Sequence, residues 1–424
     1  MESFREMSKE ELQAQEVEVN KKYQEFKDLD LSLNMARGKP APDQIDHANG
    51  MLETMTDYHA KDGLDVRNYG VLDGLPEMKE IFSDLLDIPA KNIIVGGNAS
   101  LNLMFDQMMR LVVFGTEGEK PWGQLEKVKF LCPAPGYDRH FAITEYFGIE
   151  MINIPMTAEG PDMDLVEKYV NNDESVKGIW CVPLYANPSG ESYSDETVRR
   201  FANLKPAAKD FRIYWDNAYC VHHLHPDHPD HVLDILSECE KAGNPDMVYK
   251  FGSTSKISFP GSGISAIATS KANIDALKKQ MNVQMISHDK INQLRHVRFF
   301  KNIDGLKAQM AKHAEILRPK FEAVDEILNK ELGGLEIGKW TKPNGGYFVS
   351  FDSLDGCAKA IVAKCKEAGV VMTGAGATYP YGKDPHDSNI RIAPSFPSLD
   401  DLRQAAEIFC VCVKLVSVEK LLAE

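Results

Sequence analysis

A single lysine, Lys256, stands where an apolar run meets a glycine turn. The stretch Met247 to Gly263, MVYKFGSTSKISFPGSG, opens on a short buried strand at Met247-Val248-Tyr249 and passes through the small residues Gly252 to Ser255 to reach Lys256. It then bends through Pro260-Gly261-Ser262-Gly263. An ammonium there is either a solvated loop charge or an amine held in a pocket, where desolvation depresses its pKa and makes it a Schiff-base former.

Four other groups bear on that choice. Gly96-Gly97-Asn98-Ala99-Ser100 lies between an apolar run and a helical pattern. Free backbone amides and the helix dipole would make it an anion site; a plain tight turn with an N-cap is the other reading. Pro133 to His140 holds Tyr137 among prolines at a strand end, where an aromatic either stacks on a planar ring or simply packs. Asn187-Pro188-Ser189-Gly190 is a turn after GIWCVPLYA. Asp216, with Tyr219 three residues on, ends the apolar FRIYW; an aspartate there is expensive to bury and implies a charged partner.

The elements that must position these groups follow from hydrophobic period. Short apolar runs (IIVGG, KVKFLCP, EMINIPM, GIWCVPLY, FRIYWDN, DMVYKFG) alternate with helical stretches between about residues 92 and 270. That alternation predicts an α/β, doubly wound, mainly parallel sheet covered on both faces. In such a sheet, ligands bind outside the carboxyl ends of the strands, where all five groups fall. Upstream, Ser8 with Glu11 is a capping box opening a helix over 8–30; a loop follows at 31–46, a helical segment runs to about Lys61, and another helix starts at Pro76. Long helices are predicted over 271–330. Strands at YFVSFD and NIRIAP, between helices at 356–368 and 398–422, predict a small α+β domain. The division expected is an N-terminal arm and part of the small domain at 1–59, a large domain at 60–300 and a small C-terminal domain at 301–424.

Composition narrows the classes. A chain of 424 residues exceeds what one core serves, and 43% hydrophobic with 26% charged residues is globular. A net charge of -15 argues against a nucleic-acid surface. The eight cysteines form no CxxC pair and read as reduced thiols; FCVCV at 409–413 reads as a buried strand or an apolar helix face. No apolar stretch reaches a membrane span and the first thirty residues lack an apolar h-region, so a soluble, cytoplasmic protein is expected. The histidines at 222, 223, 225, 228 and 231 lie in HHLHPDHPDH, which reads as a solvated loop with no metal site.

A phosphate cup, a stacking aromatic, an asparagine, an aspartate for a pyridinium nitrogen and a lysine for an aldehyde are together what a pyridoxal 5′-phosphate site requires. At this point the chain resembles the fold type I, class I aminotransferases over nearly its full length, and within them the bacterial aspartate aminotransferase subgroup Ic. ARGKP, GGNAS, PGYDRH, ANPSG, DNAY, STSK and RIAPSFP carry the resemblance.

The resemblance implies a role for each position. Lys256 forms the internal aldimine and shuttles the proton, Asp216 pairs with the ring nitrogen, and Asn187 and Tyr219 bond the ring 3′ oxygen. Tyr137 stacks on the ring; Asn98, Ala99, Ser100, Ser253 and Ser255 hold the phosphate. Tyr69 reaches the neighbouring subunit's cofactor, so a homodimer with shared sites is implied. Arg391 takes the substrate α-carboxylate, and Gly38 lies against the substrate. The implied reaction is ping-pong transamination between aspartate and 2-oxoglutarate. A different amino-acid aminotransferase, a β-lyase and a non-catalytic ligand-sensing module are the alternatives. Two departures stand out. Gly263 occupies the place of the family's phosphate-binding arginine, and no arginine is assigned to the distal carboxylate, for which Arg37, Arg139, Lys290 and Arg295 are candidates with Arg139 the first choice.

Overall fold

The computed structural model describes residues 3–424. In chain order the first part comprises α1 (Lys9–Lys27), β1 (Leu33–Asn34), α2 (Pro42–Asp46), α3 (Pro76–Leu86), β2 (Ile93–Val95), α4 (Ser100–Val113), β3 (Lys129–Ala134) and α5 (Asp138–Tyr146). Next come β4 (Glu150–Thr157), β5 (Gly160–Pro161), α6 (Met163–Val170), β6 (Val176–Cys181), α7 (Asp195–Ala202), β7 (Arg212–Asp216), α8 (Ile235–Lys241), β8 (Val248–Ser253) and β9 (Ser265–Ala268). The helices α9 (Lys271–Gln284), α10 (Lys290–Phe300) and α11 (Ile303–Leu332) lead to β10 (Gly338–Trp340), β11 (Val349–Ser353), α12 (Ala358–Glu367), β12 (Val370–Val371), β13 (Asn389–Ile392) and α13 (Leu399–Ala423).

The large sheet runs β2-β9-β8-β7-β6-β3-β4-β5. Its centre, β8-β7-β6-β3-β4, is parallel, as the doubly wound pattern predicts. Because β9 is antiparallel to both β2 and β8, those two strands share a direction. The carboxyl ends of β2, β3, β6, β7 and β8 therefore open on one edge, and GGNAS, PGYDRH, ANPSG, DNAY and STSK follow them there. Burial explains the apolar runs: β2, β6 and β7 are buried at every position, which only a sheet covered on both faces requires.

A second, three-stranded antiparallel sheet, β10-β11-β13, carries Arg391 opposite Ser350. Its core mixes residues of α1, α11, α12 and α13. Cys410 and Cys412 are buried there on α13, so FCVCV is a helix face. Ser8 and Glu11 form the predicted capping box.

Two expectations need correction. The expected loop over 31–46 ends in the short helix α2, and the segment from there to Lys61 is not a continuous helix: it holds a 3-10 turn at Asn49–Glu53 and then irregular chain. Its carbonyls are met by a distant side chain, Arg298, which donates to Asp57 O at 2.7 Å and His59 O at 3.2 Å. The strand β9 is an addition. Its four residues, SAIA, sit among serines and glycine in a stretch too short to give a period.

Candidate active site

Lys256 sits in a turn that its neighbours hold firmly. Thr254 N donates to Ile264 O at 2.8 Å, and Ile264 N returns a bond to Thr254 Oγ1 at 2.9 Å. From α10, His296 Nδ1 faces Asn292 O at 2.8 Å and so carries the proton; Nε2 then accepts from Ser258 Oγ at 2.8 Å. Burial holds His296 down at about 4, which keeps it neutral. The Lys256 amine lies 4.8 Å from the Tyr219 ring centroid and 5.9 Å from that of Tyr347. Burial lowers its pKa, partly opposed by the charge of Asp216. The solvated-loop reading of Lys256 therefore fails.

Asp216 ends β7 and is 3% exposed. One oxygen lies 2.9 Å from His140 Nε2, and that imidazole stacks on Trp180 at 4.3 Å with the planes 9° apart. The other oxygen is buried and has no partner among the described residues. A carboxylate oxygen left bare inside a protein is costly unless something else meets it. Tyr219 is buried too, and burial pushes its phenol well above the ordinary value. Tyr137 meets His140 edge-on at 4.8 Å, and burial with the Asp216 charge raises its phenol to about 12.

Across the edge, α4 begins at Ser100 with Ala99 as N-cap and no capping side chain. Its first amides are thus left for another acceptor. Ser253 Oγ donates to Ser255 Oγ at 3.2 Å, which donates to Asn98 O at 3.1 Å, so both motifs form one cradle. A Cβ on Gly263 would lie 3.1 Å from Asn98 O and 3.2 Å from Ser255 N, pressing a side chain on the backbone of both. A cation arrives by another route: Arg295 of α10 donates Nε to Asn292 Oδ1 at 2.7 Å and a second nitrogen to Ser262 Oγ, beside Gly263.

Arg391, 8% exposed, brings the small sheet to the same edge. Nη1 donates to Asp138 Oδ1 at 3.0 Å and Asn187 Oδ1 at 3.2 Å, and Nη2 to Thr373 Oγ1 at 3.3 Å. The guanidinium lies 4.8 Å from the Phe348 ring centroid. A Cβ on Gly38 would be 2.3 Å from that same ring, which is why only glycine fits there. Nε is buried with no partner among the described residues.

Lys256, Asp216, Tyr219, Tyr137, Asn187 and Arg391 thus converge, with Asn98, Ala99, Ser100, Ser253 and Ser255 in the adjoining cradle. Tyr69, Arg37 and Arg139 are exposed and make no side-chain ion pair among the described residues. Lys290 is buried and donates to Ser287 Oγ at 3.0 Å. The histidine stretch departs from the solvated reading at its start: His222 is buried with Nε2 3.3 Å from Lys256 O, whereas His225, His228 and His231 are exposed. Among the described residues no group of three or more His, Cys, Asp or Glu could hold a metal. The sequence reading gave no role to His140, Asp138, His222, Phe348 or Thr373. His140 and Asp138 stand inside PGYDRH beside Tyr137, but their partners are remote in sequence.

The model of the aspartate amino-transferase family matches residues 7–424. The chain belongs to that family. This aminotransferase is 43% identical to the aspartate aminotransferase of Corynebacterium glutamicum over 405 residues, 95% of this chain and 93% of the other. It is 47% identical, over the whole of both chains, to a candidate aminotransferase of Mycolicibacterium smegmatis. The crystal structure of an aspartate transaminase from C. glutamicum superposes with a TM-score of 0.96 at 42% identity, covering 99% of each chain.

Proposed function

We propose that this aminotransferase uses pyridoxal 5′-phosphate to exchange amino groups between aspartate and 2-oxoglutarate, by a ping-pong mechanism, as a homodimer with shared sites. The observation that carries the reading is the half-buried Lys256 amine, whose pKa is lowered beside Tyr219, with the bare oxygen of Asp216 in the same site. The residues present fit the cofactor. Asp216 offers a buried acceptor for a protonated ring nitrogen, the uncapped start of α4 with Ser253 and Ser255 offers donors for a phosphate, and Lys256 offers the amine. Pyridoxal phosphate, when bound, supplies an aldehyde and an electron-withdrawing ring that acidifies the substrate Cα–H.

The protein's part is orientation and charge. Asp216, fixed by His140, would offer its free oxygen to a protonated ring nitrogen. Asn187, Tyr219 and Tyr137 are the side chains that would hold the ring of the cofactor. Lys256, its ammonium destabilised by burial, is free to take the proton from Cα and return it. Arg391 takes the α-carboxylate, for which its planar fork is suited. Gly38 lets backbone approach because Phe348 fills the space its side chain would need. Arg295, which reaches Ser262 beside Gly263, would supply the positive charge in place of the arginine absent there. Arg139 remains the candidate for the distal carboxylate, and the exposed Tyr69 reaches the partner's site.

A panel of amino donors with 2-oxoglutarate tests the substrate. Aspartate is expected to give the highest kcat/KM; a monocarboxylic donor that outperforms it tenfold would replace the assignment while leaving the chemistry intact.

A further inference from the structure

We propose that Asp138 sets the affinity of the site for carboxylates, by competing with the substrate for Arg391. The proposal rests on the reading of Arg391 as the α-carboxylate site.

Among the described residues Asp138 is the one carboxylate paired with Arg391, at 3.0 Å. The other two acceptors, Asn187 Oδ1 and Thr373 Oγ1, are neutral. The two charged partners are unequally placed. Arg391 has 8% of its side chain exposed and cannot regain water; Asp138 has 36% exposed and can. Asp138 also begins α5, immediately after Tyr137, so its backbone is fixed and its charge favoured by the helix start.

A guanidinium has five N–H donors. Asp138, Asn187 and Thr373 take three; one on Nη2 and the buried Nε remain, on one edge of the fork. A substrate carboxylate on that edge would satisfy the orphaned Nε and share the cation with Asp138. A carboxylate on the Nη1 side would send Asp138 back to water. In both arrangements the incoming anion gains less than it would from an unpaired arginine. Weakened binding suits a cycle in which each product must leave before the next substrate enters, since tight ground-state binding does not raise kcat. Asp138 is thus a specificity-setting and positioning residue, acting through Arg391 rather than on the reacting atoms.

Asp138→Asn keeps an acceptor of the same shape and removes the charge. Calorimetric titration of the holoenzyme with succinate, an unreactive dicarboxylate, is expected to show about tenfold tighter binding in this variant, since ionised partners roughly double a hydrogen bond. KM for aspartate and for 2-oxoglutarate should fall in parallel, with kcat unchanged or lower. Asp138→Ser, which also lacks the charge, should move in the same direction and serves where the Asn variant folds poorly. A folded variant with unchanged or weaker succinate binding and unchanged KM overturns the proposal, leaving Asp138 a structural partner. Arg391→Ala separates the two ideas. If it retains succinate affinity, the α-carboxylate reading fails; if it loses affinity while Asp138→Asn changes nothing, only the role of Asp138 fails.

Discussion

The Lys256 turn and the Arg391 pocket face each other across the same cleft, yet they are built differently. The turn is braced almost wholly from within the large domain: β8 and β9 flank it, and His296 ties Ser258 to α10. Arg391 instead belongs to the small sheet, and its partners come from both sides: Asp138 and Asn187 from the large domain, Thr373 from the segment after β12. One half is a platform braced from within one domain and the other a junction. On the proposed reading, chemistry that needs a fixed amine would sit on the platform, and recognition that must admit and release a charged ligand on the junction.

Substitutions can break that division, beginning on the platform. If Lys256 is both nucleophile and proton carrier, as proposed, Lys256→Ala should lower kcat by at least about 10⁴-fold, and substrate-independent retention of cofactor can be read by absorbance. Asp216→Ala should cost about 10²–10³-fold in kcat with little change in KM, as for loss of one preorganised charged partner. His140→Ala should follow with a smaller loss of the same kind. At the junction the signature should invert. Arg391→Lys should raise KM for both substrates by about 10–100-fold, the worth of a charge-assisted bond, with a lesser fall in kcat. An Arg391→Lys enzyme damaged mainly in kcat would erase the distinction.

The smallest effect is in stability. Burial holds His296 and His313 at about 4, below the ordinary 6.5. The unfolded chain therefore binds more protons between those values, so stability rises with pH through that window and is lost as pH falls from about 6.5 toward 4. Each histidine contributes on the order of 3 kcal/mol over the full span. Melting curves at pH 7.5, 6 and 4.5 should show the decline, and His296→Gln should flatten it.

The platform was also the more legible half of the sequence. GGNAS, DNAY and STSK each lie next to the strand that positions them, so hydrophobic period and turn chemistry were enough to bring Ser100, Asp216 and Lys256 to one edge. The junction was legible only in part. Arg391 stood out on an apolar strand, but nothing local tells that Asp138, 253 residues away, would meet it. Phe348 beneath Gly38 is the same kind of fact, a contact between separate sheets and loops. The misread segment before Lys61 fails for this reason too. Beyond its 3-10 turn, the carbonyls of Asp57 and His59 are met by Arg298, and a helical pattern in sequence carries no sign of a remote donor.

The most direct test of Lys256 as the cofactor-bearing amine is the visible absorbance of the purified protein, before and after aspartate and then 2-oxoglutarate. The account predicts a yellow band that bleaches with aspartate and returns with 2-oxoglutarate, and that is altered in Lys256→Ala. A protein that stays colourless with added pyridoxal phosphate, or a yellow band indifferent to the Lys256 substitution, would contradict it.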